Sequence, residues 1–248
     1  MKLKWDQVGE HWFEQGVQKG VLYPQANGAY PKGVAWNGLR SVEESPEGAE
    51  SNKFYADNDV YLNILSKETY GATIGAYTYP DEWEECDGSA ALATGVSIGQ
   101  QPRKSFGLCY RTEKGNDVDQ MAGYVLHLVY GCLASPSSRT HETINDSPAP
   151  AELSWTISTV PVEVTGKSKT ATLEIDSTKA DATKLKALED ILYGTAETDA
   201  RLPLPDEVAR IFAGTNVVVT PPANGDGNAN GDTGAGDGNT NGDGNALG

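Results

Sequence analysis

From Glu152 to Thr159 the chain reads ELSWTIST, with Leu153, Trp155 and Ile157 at alternate positions and Glu152, Ser154, Thr156 and Ser158 between them. That period of two predicts a half-buried β-strand. TATLEID at Thr170–Asp176 repeats it with Ala171, Leu173 and Ile175, and Phe106, Leu108 and Tyr110 alternate with Gly107, Cys109 and Arg111. YVLHLVYG, Tyr124–Gly131, is apolar at nearly every position, His127 being the exception. A strand of that kind is covered twice, once by its own core and once by something else. Further strands are predicted at Val60–Leu65 and Ala72–Tyr79, and Asn37-Gly38 inside VAWNGLRSV predicts a hairpin. Between Ser41 and Asn58 the chain is too long and polar for a tight turn, and so is expected to form a long functional loop.

Helical grammar appears in three places. In one, Asp181 is placed to cap a helix whose stripe is Leu185, Leu188 and Leu192 and whose stop is Gly194. In another, PDEVARIFAG opens on Pro205 with Asp206 and Glu207 in the first turn and closes at Gly214. PDEWEECDG has the same form, from Pro80 to Gly88, with Trp83 and Cys86 three apart on one face and its carboxylates expected to point outward. Many strands followed by few helices predict a mainly β sandwich or barrel with short helices, not a βαβ fold.

Composition changes this picture at the end of the chain. After Thr220 the sequence is Gly, Asn, Asp and Ala with almost no apolar side chain, which predicts a flexible low-complexity tail over 221–248. Its GDGN units invite a calcium reading, but the repeat lacks the apolar position of calcium-binding nonapeptides and the closing Glu of an EF-hand loop, so a solvated spacer is expected. The net charge of −16 over 248 residues disfavours binding to phosphate backbones and to anionic membranes. Three cysteines, with no CxxC, fit buried thiols better than disulfides or zinc. No hydrophobic leader or membrane-length apolar run is apparent, so synthesis in a cytoplasm is expected.

Candidate chemistry is sparse. AYTYPDEWEECDG gathers Asp81, Glu82, Glu84, Glu85 and Asp87, yet nothing in the pattern buries one acid selectively, as a general acid–base pair requires. An exposed acidic helix suits a basic partner, and QQPRK supplies Arg103 and Lys104, within the chain or from a neighbouring copy. Gly95–Gly99 spells G-x-S-x-G, but Pro102 follows and no helix begins, against a nucleophile elbow. His11, His127 and His141 show no ligand spacing. Asn145-Asp146-Ser147 is a formal glycosylation sequon followed by Pro148. Five tryptophans and eleven tyrosines suggest a core and subunit contacts, with a carbohydrate-binding groove as the alternative.

Several phrases in order carry a family resemblance: GVAWNGLRSVEESPEGAESNKFYADNDVYLNI, GATIGAYTYPDEWEECDGSA, SIGQQPRKSFGLCYRT, YVLHLVYGCLASPSSRTHETINDSP, LSWTISTVPVEV and LPLPDEVARIF. Together, over Gly33–Phe212, they resemble the major tail protein, or tail tube protein, of long-tailed, non-contractile bacteriophages (siphophages). The resemblance implies a β-sandwich or barrel-like subunit, six copies of which close into a ring around an inner β-barrel. Rings stack into a tube grown on a tape-measure protein and bounded by tail-terminator and tail-tip proteins, and genomic DNA crosses the lumen at ejection. It implies a virion protein assembled in the host cytoplasm, with no enzymatic activity, cofactor or metal. Under this reading 1–32 is an N-terminal arm, 33–220 the tail-tube domain with helices near 80–87, 181–193 and 205–213, and 221–248 a tail outside the common pattern. Some relatives carry a folded decoration domain at that point. Acidic residues would keep DNA from adhering to the lumen. Glu43, Glu44, Glu47 and Glu50 in the long loop, with Arg103, Lys104 and His127, are the expected subunit-interface residues.

Overall fold

The computed structural model describes residues 2–144, 146 and 150–214, and within them the chain is mainly β. The strands are β1 (Phe13–Pro24), β2 (Val34–Ala35), β3 (Leu39–Glu44), β4 (Ser51–Ala56), β5 (Asp59–Leu65), β6 (Gly71–Ala76), β7 (Ala90–Ala93), β8 (Val96–Ile98), β9 (Phe106–Gly115), β10 (Gly123–Ala134), β11 (Leu153–Thr159) and β12 (Thr172–Asp176). The helices are α1 (Glu84–Asp87), entered through a 3-10 turn at Asp81–Trp83, α2 (Ala182–Tyr193) and α3 (Pro205–Ala213). The expected tail at 221–248 and the sequon's Asn145 and Ser147 lie outside the described residues.

One antiparallel sheet runs β2-β1-β9-β10-β11-β6-β3, with β12 joined to β10. It forks along β10. Val125–Val129 pair with β12, and Cys132–Ala134 pair with β11 on the same side. The fork lies at Gly131, which has φ +61°, and the register with β9 slips between Val129 and Cys132. Such a bulge also reverses which way the side chains point. Leu126, Leu128 and Tyr130 therefore face α2 and α3, while Val129, Cys132 and Ala134 lie in the opposite core.

Beyond the fork the sheet curls over itself, and Gly20 of β1 comes against Leu39 of β3. The enclosed core is aromatic. Trp36, Trp83 and Trp155 meet with centroids 4.7–5.9 Å apart, and Phe106 stands edge-on to Trp83 at 4.9 Å. The second core lies beneath α2 and α3, where Leu185, Leu188, Leu192 and Val208 cover Tyr23, Cys109 and Leu126. Three tyrosines fix this layer. Tyr23 donates to Leu192 O at 2.7 Å and Tyr130 to Pro203 O at 2.9 Å, while Tyr30 Oη accepts from Gly131 N at 2.8 Å. The second cover of the apolar strand is thus supplied by the chain's own C-terminal helices.

Most predicted elements are present. Asp181 caps α2 by accepting from Thr183 N and Lys184 N, α3 starts at Pro205, and Trp83 and Cys86 are fully buried. Four expectations need correction. The 1–32 arm does not stop at the sheet, because β1 pairs with β9 from Phe13 to Pro24. Two bulges there, with Gly16 and Lys19 at positive φ, hide its alternation. Asn37-Gly38 forms a turn, but its flanking strands pair elsewhere, β2 with β1 and β3 with β6. Trp36 separates them: its Nε1 donates to Thr78 O and its ring is buried among the tryptophans. The segment from Ser41 to Asn58 is not a loop. It comprises most of β3, all of β4 and the turn into β5. Lastly, Asp87 does not point outward, because Arg139 holds it at 2.8 Å with 9% of the side chain exposed.

Candidate functional site

The least self-sufficient part of the protein is an arm built on β3 and β6. Their ladder continues outward through Ser45 N to Gly71 O, the Glu47–Thr69 bridge and Ser66 N to Glu50 O, and passes directly into the β4–β5 hairpin. The tip is Asp57-Asn58, both at positive φ, as a type I′ turn requires. At the base, Gly48 has φ +96°, and a side chain there would run into the carbonyl of Lys67.

Every residue of β4 and β5 is exposed. Phe54, Tyr55, Val60, Tyr61, Leu62, Ile64 and Leu65 are all among the exposed large hydrophobics, Tyr61 at 78%. Apolar side chains therefore lie on both faces of a two-stranded ribbon, which is marginal on its own. A second exposed hairpin, β7–β8, carries Leu92, Val96 and Ile98, and the segment before β1 exposes Leu3, Trp5, Val8 and Trp12. Three strands of the main sheet also have an open margin: among the described residues β12 pairs with β10 alone, β3 with β6 alone and β2 with β1 alone.

The predicted site residues fall into two groups. Glu43, Glu47 and Glu50 line the root of the arm, exposed. Glu44, at the end of β3, instead accepts from Tyr110 Oη at 2.5 Å and approaches His127. His127 is 8% exposed, stacks on Tyr110 at 4.6 Å with 2° between planes, and its Nε2 meets Thr112 Oγ1 at 3.0 Å and Glu14 Oε1 at 3.1 Å. Lys104 pairs with Glu85 at 2.8 Å, and Arg103 donates to Ala134 O at 3.0 Å. Lys104 therefore reaches the acidic helix within the chain, while Arg103 is held by the end of β10.

No catalytic constellation forms around the candidate motifs among the described residues. Gly95–Gly99 lies on the exposed β7–β8 hairpin, not on a strand-to-helix elbow, and Ser97 Oγ donates to Glu84, not to a histidine. His11 approaches Asp117 at 3.4 Å on the surface. All three cysteines are free and buried; burial pushes the Cys86 and Cys109 thiols up to about 12 and Cys132 further in the same direction. They remain protonated and unreactive at neutral pH. Of the five tryptophans, Trp36, Trp83 and Trp155 are core residues, while Trp5 and Trp12 are exposed. No helix among the described residues is long and apolar enough to cross a membrane.

Sequence reasoning identified a strand at Val60–Leu65 but missed its partner β4 and the exposure of both. Asp57-Asn58 was the available signal. It also missed the convergence of Glu14 and Glu44 on His127, for which no local signal exists, since strand pairing brings them together. Comparison with protein-family models and with curated proteins found no match.

Proposed function

We propose that the protein is a structural subunit that completes itself with further copies, closing into hexameric rings that stack as the tail tube of a non-contractile phage. The observation that carries this reading is the β3–β6 arm, whose apolar outer half has no partner within the described chain. At about 25 cal/mol per Å² of apolar surface, covering several large side chains on each of several arms is a substantial drive to associate. The open margins of β12 and β3 add main-chain groups that an identical neighbour can pair, and a closed ring satisfies such margins without an endless fibre in its plane.

The hexameric state, the passage of DNA and the tape-measure, tail-terminator and tail-tip partners rest on the sequence resemblance. The acidity fits a conduit that phosphates must slide through. Glu43, Glu47 and Glu50 at the root of the arm are then ring-contact residues. A carbohydrate-binding module is the second reading, favoured by exposed Trp5, Trp12, Tyr55 and Tyr61. Against it stands the burial of the remaining tryptophans.

Negative-stain microscopy and light scattering of the purified full chain test the proposal. Rings or tubes are expected, and Tyr61→Glu combined with Ile64→Asp should give monomers with an unchanged circular dichroism spectrum. A wild-type chain that stays monomeric at high concentration and binds a glycan array would overturn the assembly reading in favour of the second.

A further inference from the structure

Tyr110, His127 and Glu174 form one rung across β9, β10 and β12, because His127 is the cross-strand partner of both others. Glu44 arrives from β3, and a ligand atom of Glu44, of His127 and of Glu174 all lie within 4.8 Å of one another. The ring is held on its far side. Nε2 lies 3.1 Å from Glu14 Oε1 and 3.0 Å from Thr112 Oγ1, so in the tautomer that donates Nε2–H to this carboxylate the Nδ1 lone pair is free to bind an ion. Nδ1 then faces Glu44 Oε1 across 3.8 Å, beyond hydrogen-bond range.

Two electron-rich groups thus face each other at a histidine that is 8% exposed, with a third carboxylate alongside. Glu14 and Glu44 pair with His127, and among the described residues no lysine or arginine pairs with Glu14, Glu44 or Glu174. Beside Glu44 lies the buried hydroxyl of Tyr70. A metal ion between Nδ1 and the carboxylates would give all three a shared partner.

We propose that Glu44, His127 and Glu174 hold one divalent transition-metal ion of the zinc class, with water completing its shell. One imidazole and two carboxylates suit such an ion better than calcium, which takes oxygen ligands alone. Zinc–ligand bonds of about 2.0–2.2 Å place ligand atoms closer together than they stand here, and small rotations of two exposed glutamates close the difference. The surrounding contacts are those a metal-bound histidine uses: Glu14 fixes the tautomer through Nε2, Tyr110 fixes the ring plane, and the Tyr110 hydroxyl orients Glu44. The ion would tie β3 to β10 and β12, which share no hydrogen bonds with it, and so brace the curled sheet near the root of the arm.

The full chain, freed of metal by chelation, is titrated with Zn²⁺ by calorimetry and with Co²⁺ by visible absorption, in parallel with Glu174→Gln and His127→Gln. One tight Zn²⁺ per chain is expected, with a cobalt spectrum showing imidazole coordination and a rise in thermal midpoint. Glu174→Gln should weaken binding about tenfold or more and abolish the rise. Because Glu174 is exposed on an edge strand, that variant keeps the fold even if His127→Gln does not. Absence of a tight Zn²⁺ site, or a site that Glu174→Gln leaves unchanged, overturns the proposal. The second result would place the metal elsewhere on this acidic chain.

Discussion

Lys114 and Asp176 meet beside the start of β10, their side chains 17% and 19% exposed. Burial alone would raise the Asp176 carboxyl. The Lys114 ammonium, together with bonds from Thr178, overcomes it and holds the group at about 2. The folded value lies below the unfolded one of about 3.9, so the stabilisation is present above that pH and is lost as pH falls through about 2. A shift of this size is worth on the order of 2 kcal/mol. Asp176→Asn should lower unfolding free energy by about that amount at neutral pH, with the gap from wild type closing as pH falls from about 4 to about 2. Denaturant titrations at several pH values measure it, and a gap constant with pH would show that the carboxylate's charge is not its source. At this scale the sequence was legible where the cause is local. Asp181 as a cap and Trp83 with Cys86 as buried neighbours follow from spacing along one helix. The surroundings of His127 do not, because Glu14, Glu44 and Glu174 reach it from three other strands whose pairing no short window specifies.

Strand β10 shows how one residue organises an element. Gly131 sits at φ +61°, its N–H bonds Tyr30 Oη, its carbonyl accepts from Val160 N at 2.9 Å, and a β-carbon there would collide with the Val160 backbone. Left-handed backbone costs an L-residue about 1–2 kcal/mol, and the collision adds to it. Gly131→Ala should therefore destabilise by about 2 kcal/mol or more, which in a domain of this size lowers the thermal midpoint by about 5 °C or more. A midpoint equal to wild type would mean that β10 can divide its pairing between β11 and β12 without the bulge. The sequence signalled an apolar strand here, because both faces are buried, but not the reversal of phase at 130–131, which appears only once two partners compete for one edge. The β3–β6 arm failed for the opposite reason. The strands of its outer half, β4 and β5, bury neither face within the chain, so the in–out alternation that marks a half-buried strand is replaced by polar and apolar residues mixed along both sides, and β4 resembled a loop.

For the whole molecule, two opposing forces set association. Exposed apolar side chains on the arm, on β7–β8 and before β1 favour contact between copies, while a net charge of −16 on each copy opposes it. The first is insensitive to moderate salt and the second is not. Raising ionic strength from about 0.01 M to about 0.15 M shortens the screening length from about 30 Å to about 8 Å, less than the width of a subunit. If apolar burial drives assembly, higher salt should lower the protein concentration at which rings or tubes appear, and the Tyr61→Glu, Ile64→Asp variant should stay monomeric throughout. Light scattering across a concentration series at each salt level decides the matter. Dissociation on adding salt would mean that contacts between opposite charges hold the copies together. The association would then belong to residues such as Glu43, Glu47 and Glu50 at the root of the arm, and not to the apolar ribbon beyond them.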